Sequence, residues 1–384
     1  MVVYSLYPYD ARVKRAAETI ASLSKFRVTV ICLKEGERPK SYRSNSVDVR
    51  EINVQKYNGN GLFKHLASYI NFLFQSFYTC SRLLFGDGVD IVHVHNMPNF
   101  IVLSALLPKL LGKRVILDIH DTMIETYSAK FNGGINGLLI QTLKLEESLS
   151  CLFADKIICV NDIQRQALVT RGIPDNKITT ILNIPDTRIF NYAKVAATNN
   201  RDGKFKIIYH GTITKRLGVD LAIRAVVDLK EKIPEIEFTI FGYGDGLSEY
   251  IALSRDLNAD DFIKFPGTVP LEQLEDVLGE MDLGIVPNRR NKASELMLPV
   301  KLLEYIAVGI PVVVPTLKCI KHYFTKNMVF FFEPDETDSL KEVILDAYSE
   351  KEKRIRKAQE AKWFLKEYGW NKHRNILINL FRDL

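Results

Sequence analysis

The stretch Leu298-Pro-Val-Lys-Leu-Leu-Glu-Tyr-Ile-Ala-Val-Gly-Ile-Pro-Val-Val-Val, residues 298–314, decides how this chain folds. Its first part carries a helical pattern that stops at Gly309 and Pro311, and an apolar run rich in valine follows. Glycine and proline end helices, and a short all-apolar segment is how a strand covered on both faces is written. A helix delivered straight into a buried strand implies a crossover unit and therefore a parallel sheet. Lys301 and Glu304 stand three apart in the first turn of that helix, hence on one face, at the end where free N–H groups and the helix dipole attract phosphate. Two readings of the pair stand side by side. It is an ordinary Glu/Lys helical pair, or the lysine neutralises a diphosphate while the glutamate accepts hydrogen bonds from ribose hydroxyls.

Outward from this stretch the same alternation fills most of the chain. In the first half strands are expected at 2–5, 28–33, 47–52, 91–95, 114–119 and 156–160, with helices near 11–24, 61–84, 99–111, 137–153 and 162–171. In the second half strands at 205–210, 237–241, 263–265, 283–286, 312–314 and 328–332 alternate with helices near 218–232, 247–257, 271–280, 301–308, 339–349 and 352–366. At 384 residues the chain exceeds one ordinary core. The division expected is an N-terminal α/β domain over 1–187, a polar linker at 188–203 and a second α/β domain over 204–366. A last helix at 367–384 follows, whose host domain periodicity leaves open. The fold class is α/β, two doubly wound Rossmann-like domains. Such sheets bind ligands at the C-terminal ends of their strands, so two facing edges would make one cleft.

Hydrophobic residues at 47% and charged residues at 26%, without a low-complexity tract, exclude a disordered or fibrous chain. The five cysteines, Cys32, Cys80, Cys151, Cys159 and Cys319, are odd in number and show no CxxC pair, so buried free thiols are expected. No His, Cys and carboxylate cluster has structural-zinc spacing, and no metal is expected. The start, Met-Val-Val-Tyr-Ser-Leu-Tyr-Pro-Tyr-Asp, has neither a basic n-region nor a long apolar run, which reads as cytoplasmic. Residues 1–190 carry 23 Lys and Arg against 17 Asp and Glu, and the remainder carries 29 of each, so the net charge of +6 belongs to the first half. Segment 61–85 is dense in aromatic and aliphatic residues but is interrupted by Asn71, Gln75 and Ser76, a poor transmembrane span. It is read either as an amphipathic helix touching the inner face of the cell membrane or as a helix packed on its own domain. Nucleic-acid binding is not expected, because aromatic residues are not interleaved with the basic ones in any short patch.

A second strand–loop–helix corner lies at Tyr209-His-Gly-Thr-Ile-Thr-Lys-Arg-Leu-Gly-Val-Asp, residues 209–220. Gly211 lets a ligand approach the backbone, and Lys215 or Arg216 is placed to clamp phosphate oxygens. Gly242 and Gly244 follow one strand, and Thr268 and Val269 follow the next, at the edge where a base would lie. His93 and His95 alternate along a strand and are assigned to opposite faces, His95 toward an acceptor and His93 structural. Asp10 and Arg12, after the first strand, are further acceptor-side candidates.

These two segments, with Tyr7-Pro-Tyr-Asp-Ala-Arg, Asp90-Ile-Val-His-Val-His, Leu117-Asp-Ile-His-Asp and Phe241-Gly-Tyr-Gly, resemble the retaining glycosyltransferases of family 4. These are GT-B-fold enzymes of polysaccharide and glycolipid assembly, and the resemblance covers nearly the whole chain. It implies a nucleotide-diphosphate sugar donor, UDP-linked, no cofactor, and a saccharide or polyprenyl-linked acceptor. By resemblance Arg216 and Lys301 stabilise the leaving diphosphate, Glu304 binds the ribose, and His120 reaches the donor sugar from the first domain. The family's E-x7-E motif is out of register: eight residues before Glu304 stands Leu296, with Glu295 one position off. Either Glu295 is brought in by a loop shift, or amides around Met297 and Leu298 hold the sugar. The rivals are a nucleotide-sugar 2-epimerase on the same fold and a non-catalytic GT-B partner subunit.

Overall fold

The computed structural model describes residues 1–36, 40–57, 61–130, 137–185, 190 and 203–384. Two compact units result, one of Met1–Asn183 with Asn371–Leu384, the other of Ile184–Trp370. Of the expected linker at 188–203, only Phe190 and Gly203 are among the described residues. The helix Trp370–Arg382, set off from its predecessor by Gly369, lies almost wholly in the first unit, with Phe381 edge-on to Phe26 at 6.1 Å and to His93 at 5.7 Å.

The first unit is built on β1 (Val2–Val3), β2 (Val28–Leu33), β3 (Ser41–Ser44), β4 (Val47–Ile52), β5 (Ile91–His95), β6 (Arg114–Ile119), β7 (Lys156–Cys159) and β8 (Ile178–Thr180), in the order β3-β4-β2-β1-β5-β6-β7-β8. All neighbours are parallel except β3 and β4. β3 and β8 were not expected, because Ser-Tyr-Arg-Ser and Ile-Thr-Thr are short and polar, as sheet-edge strands tend to be. Residues 99–111, expected as one helix, form a 3-10 turn over Asn99–Ala105 and a short helix Leu106–Leu110. Glu146 holds the start of that turn, accepting from Phe100 N at 2.6 Å and Asn99 Nδ2 at 2.8 Å. Helices Met123–Lys130 and Lys318–Tyr323 were likewise not expected.

The second unit carries β9 (Phe205–His210), β10 (Ile236–Phe241), β11 (Ile263–Gly267), β12 (Leu283–Ile285), β13 (Val312–Pro315) and β14 (Phe330–Phe332), all parallel, in the order β11-β10-β9-β12-β13-β14. Strand order reverses between β1 and β5 in the first sheet and between β9 and β12 in the second, and a doubly wound sheet opens to a ligand at such points. The core of the second unit is closed by contact too tight for a side chain. Helix Val300–Val308 lays Tyr305 on β12, and a Cβ added at Gly284 would stand 2.6 Å from the ring. Gly284→Ala should therefore lower stability by about 1–3 kcal/mol through overpacking. The measurement is the urea midpoint of the second unit, and an unchanged midpoint would show that helix and strand separate at no cost.

Candidate functional site

In the second unit, β9 ends at His210, and the chain leaves the sheet through Gly211 at φ +115°. This loop and the one after β10 lie against each other, with Gly211 N donating to Phe241 O at 3.0 Å and Ile213 N to Tyr243 O at 3.0 Å. A Cβ at Gly242 would lie 1.8 Å from Gly211 O, and one at Gly244 2.1 Å from Ile213 O. Both glycines thus serve loop-on-loop packing, whatever they offer a base. Gly242 N also donates to Gly267 O at 2.7 Å, which ties in the loop carrying the exposed Thr268 and half-buried Val269.

Helix Val300–Val308 begins after Pro299 with no side chain capping it. Lys301, in its first turn, sends its amine over the buried Tyr209 ring, 3.7 Å from the centroid, beneath Gly211, where a Cβ would come within 3.2 Å of Nζ. The Nζ is enclosed and has no hydrogen-bond partner among the described residues. Burial pushes the amine down to about 7, with Glu304 pulling up and Arg216 pushing further down. Glu304, one turn on, is held by His210, Nε2 to Oε2 2.7 Å, and His210 Nδ1 lies 3.0 Å from Tyr305 Oη. Lys215 and Arg216 form an exposed 3-10 turn ahead of Gly218. Lys301, Glu304, Gly211 and Arg216 thus gather at one strand edge. His210 and Tyr209 belong with them; the signal was a histidine directly before the glycine, at the end of the apolar run Ile207-Ile208-Tyr209.

Glu295 is elsewhere engaged. Its Oε2 accepts from Lys318 N at 2.6 Å, the start of helix Lys318–Tyr323, and its Oε1 meets Arg290 Nε at 3.1 Å. Met297 N donates to Ser294 O at 3.2 Å, its Sδ accepts from Asn288 at 3.8 Å, and half-buried Leu298 leads into Pro299.

In the first unit the assignment of His93 and His95 to opposite faces is overturned. Side chains two residues apart on a strand share a face, and their ring centroids lie 4.1 Å apart. Asp118 sits beside His95 in register, and His120 follows two residues later, so all four meet on one face of the sheet. Arg12 is not in an open loop. It lies buried in the first turn of helix Ala11–Ala21 and grips Asp118, Nη2 to Oδ1 2.8 Å and Nε to Oδ2 3.3 Å, with Nη1 donating to Ile181 O at 2.9 Å. Asp10 caps that helix, accepting from Val13 N at 3.1 Å and Ser5 Oγ at 2.8 Å. Arg12 is thus engaged inside the unit, and half-buried Asp10 holds the start of the helix.

Burial works to raise the Asp118 carboxyl, but the Arg12 guanidinium holds it well below the usual range. Burial lowers His93 and His95, the latter also through His93, so both are neutral. Donor atoms of His93, His95 and Asp118 lie within 4.8 Å of one another. The guanidinium already supplies the positive charge there and would repel a cation. His120 is 21% exposed, and its Nε2 lies 3.0 Å from His95 Nδ1. Asp118, the functional residue missed from the sequence, was signalled by a lone carboxylate inside an apolar strand.

Residues 12–188 match the family model of glycosyltransferase family 4, and residues 193–363 match that of glycosyl transferases group 1. The chain belongs to the GT-B glycosyltransferases. The chain is 28% identical over 165 residues to the amylovoran biosynthesis glycosyltransferase AmsK of Erwinia amylovora, spanning 42% of the chain and 40% of that relative. It is 25% identical over 293 residues to the chitobiosyldiphosphodolichol beta-mannosyltransferase of Debaryomyces hansenii, covering 70% of the chain and 61% of the relative. The chain thus spans about two fifths to three fifths of the length of these curated relatives. Among solved structures, sucrose-phosphate synthase from Thermosynechococcus elongatus superposes with TM-score 0.79 at 14% identity, covering 100% of this chain and 98% of that one. Anabaena HepE in complex with UDP-glucose gives 0.74 at 14% identity, covering 100% and 99%.

The buried histidines set a pH dependence of stability. His93 and His95 are lowered, and His373, buried in the same unit, falls to about 4, chiefly through burial. The unfolded chain takes up these protons near pH 6.5 and the folded one does not, so the unfolded state binds more protons as pH falls from about 6.5 toward 4. Stability should be full above that window and fall within it, for His373 by up to about 1.4 kcal/mol per pH unit until about pH 4, with His93 and His95 adding in the same direction. Thermal unfolding of the first unit at pH 7 and pH 5 checks this, and equal midpoints would contradict it.

Proposed function

We propose that this glycosyltransferase moves a hexose from a UDP-linked donor to a saccharide or polyprenyl-linked acceptor in surface polysaccharide biosynthesis, retaining anomeric configuration and needing neither metal nor cofactor. The observation that carries the reading is the Lys301 amine, enclosed, without a partner among the described residues and pushed down to about 7. Such a group is costly unless an anion arrives, and a diphosphate beneath Gly211 would return it to the ammonium form. As the sugar–oxygen bond breaks, negative charge grows on the departing phosphate. Lys301, the exposed Arg216 and the uncapped helix N-terminus at Val300 are placed to stabilise it. Glu304, oriented by His210, takes the ribose hydroxyls, and His120 takes an oxygen of the donor sugar.

Attack on the face of the leaving group, with the phosphate accepting the acceptor's proton, is what the family resemblance implies. The names of the AmsK and HepE relatives support polysaccharide assembly and a uridine base.

Contact with the inner face of the cell membrane belongs to the same proposal. Helix Leu62–Gly86 exposes Phe63, Phe74, Tyr78 and Phe85, and contains no carboxylate. The turn Asn99–Ala105, which packs against both this helix and helix Gly137–Phe153, leads into exposed Leu106 and Leu110, and the second helix adds exposed Leu145 and Leu149. No helix among the described residues is long and apolar enough to cross a membrane, and aromatic side chains with flanking Lys64 and Arg82 suit the surface of an anionic leaflet.

With a UDP-hexose and a saccharide acceptor, proton NMR of the product should show the donor's anomeric configuration. Lys301→Met should form no product, yet unfold at a higher midpoint by about 1–3 kcal/mol, because an unsatisfied buried amine is gone. Inverted product, or normal turnover by the variant, would refute the mechanism. The protein should also sediment with vesicles rich in phosphatidylglycerol and less with phosphatidylcholine, and Phe74→Glu should abolish the difference. Equal sedimentation with both lipids, or none, would remove the membrane contact.

A further inference from the structure

We propose that Asp118 and His95 are positioning residues that fix the proton of neutral His120 on Nδ1, so that His120 offers its ligand a hydrogen-bond donor. The proposal deepens the reading of the chain as a glycosyltransferase in which His120 meets the donor sugar. It rests on where one proton can sit. His95 Nδ1 and His120 Nε2 are 3.0 Å apart, a hydrogen bond that needs a proton on one nitrogen and a lone pair on the other. Asp118 Oδ2 lies 3.3 Å from His95 Nδ1 and 3.6 Å from His120 Nε2. Gripped by the Arg12 guanidinium, the carboxylate is ionised and can only accept, so the nearer nitrogen, His95 Nδ1, takes the hydrogen.

A second observation points the same way. His95 Nε2 is buried with no partner among the described residues. An unpaired lone pair in the interior is more readily tolerated than an orphaned N–H, so the proton of neutral His95 belongs on the nitrogen that has acceptors. His95 Nδ1–H then donates to His120, with the Asp118 carboxylate 3.3 Å from the same nitrogen, and His120 Nε2 is left as acceptor.

The proton of neutral His120 is therefore on Nδ1, which makes no hydrogen bond to any described residue on a side chain 21% exposed. Its backbone is held on both sides, N donating to Asn96 Oδ1 at 2.7 Å and O accepting from Gln164 Nε2 at 3.4 Å. The ring thus presents a fixed donor, and the hydrogen bond at one nitrogen sets the state of the other.

Nitrogen-15 NMR of histidine-labelled protein at pH 8 separates protonated from lone-pair ring nitrogens, with the His120→Gln spectrum assigning the signal. The expected result is His120 protonated on Nδ1 in the native chain, and on both nitrogens in a tautomeric mixture in His95→Phe. The same variant should lose about tenfold in kcat while the donor KM stays within about twofold, since orientation rather than binding is lost. A native His120 protonated on Nε2, or a folded His95→Phe that keeps both the Nδ1 proton and its kcat, would overturn the proposal. The native spectrum decides the tautomer even if His95→Phe does not fold. It also decides it if the chain transfers no sugar, so a failure of the glycosyltransferase reading is seen separately.

Discussion

A strand in a parallel sheet covered on both faces has no wet side, and that constraint organises both units. Charges inside such a sheet must be paired, and unpaired polar chemistry is driven to the strand ends, where the backbone turns out of the ladder. β9 places His210 and Gly211 there, and β5 and β6 place His95 and His120. Asp118, 2% exposed inside β6, is tolerated because Arg12 grips both its oxygens. Removing one member of such a pair costs several kcal/mol, because the other is left charged and dry.

The two units treat buried charge in opposite ways. Around Asp118 the charge is balanced within the protein by a guanidinium, and neutral histidines are oriented by the carboxylate. Around Lys301 the balance is left open: Glu304 is turned toward His210, and the amine rests on an aromatic face without a hydrogen-bond acceptor. The first arrangement makes geometry and the second makes affinity, since an unsatisfied cation gains most from an incoming anion.

Glycine permits the second arrangement. At Gly211 a side chain would crowd Nζ, and at Gly242 it would strike the Gly211 carbonyl, so the anion-facing loop and the loop that supports it are both written in residues without a Cβ. Their role is closeness of backbone to backbone, a requirement visible only when the two loops are seen together.

By itself the sequence determined the alternation of strands and helices and the parallel sheets, because periodicity is local and survives in one dimension, while the grouping of Lys301, Glu304, Gly211 and Arg216 came from the family resemblance. Edge strands such as Ser41–Ser44 escaped it, since a half-exposed polar strand lacks an apolar signature. Only the tertiary structure decided that Arg12 grips Asp118 and Asp10 caps a helix, that Glu295 caps another, and that His93, His95, Asp118 and His120 form one cluster. Those roles depend on partners as far as 169 residues away along the chain, as between Arg12 and Ile181. Spacing cannot report such distances, because packing across a sheet is set by which strands become neighbours.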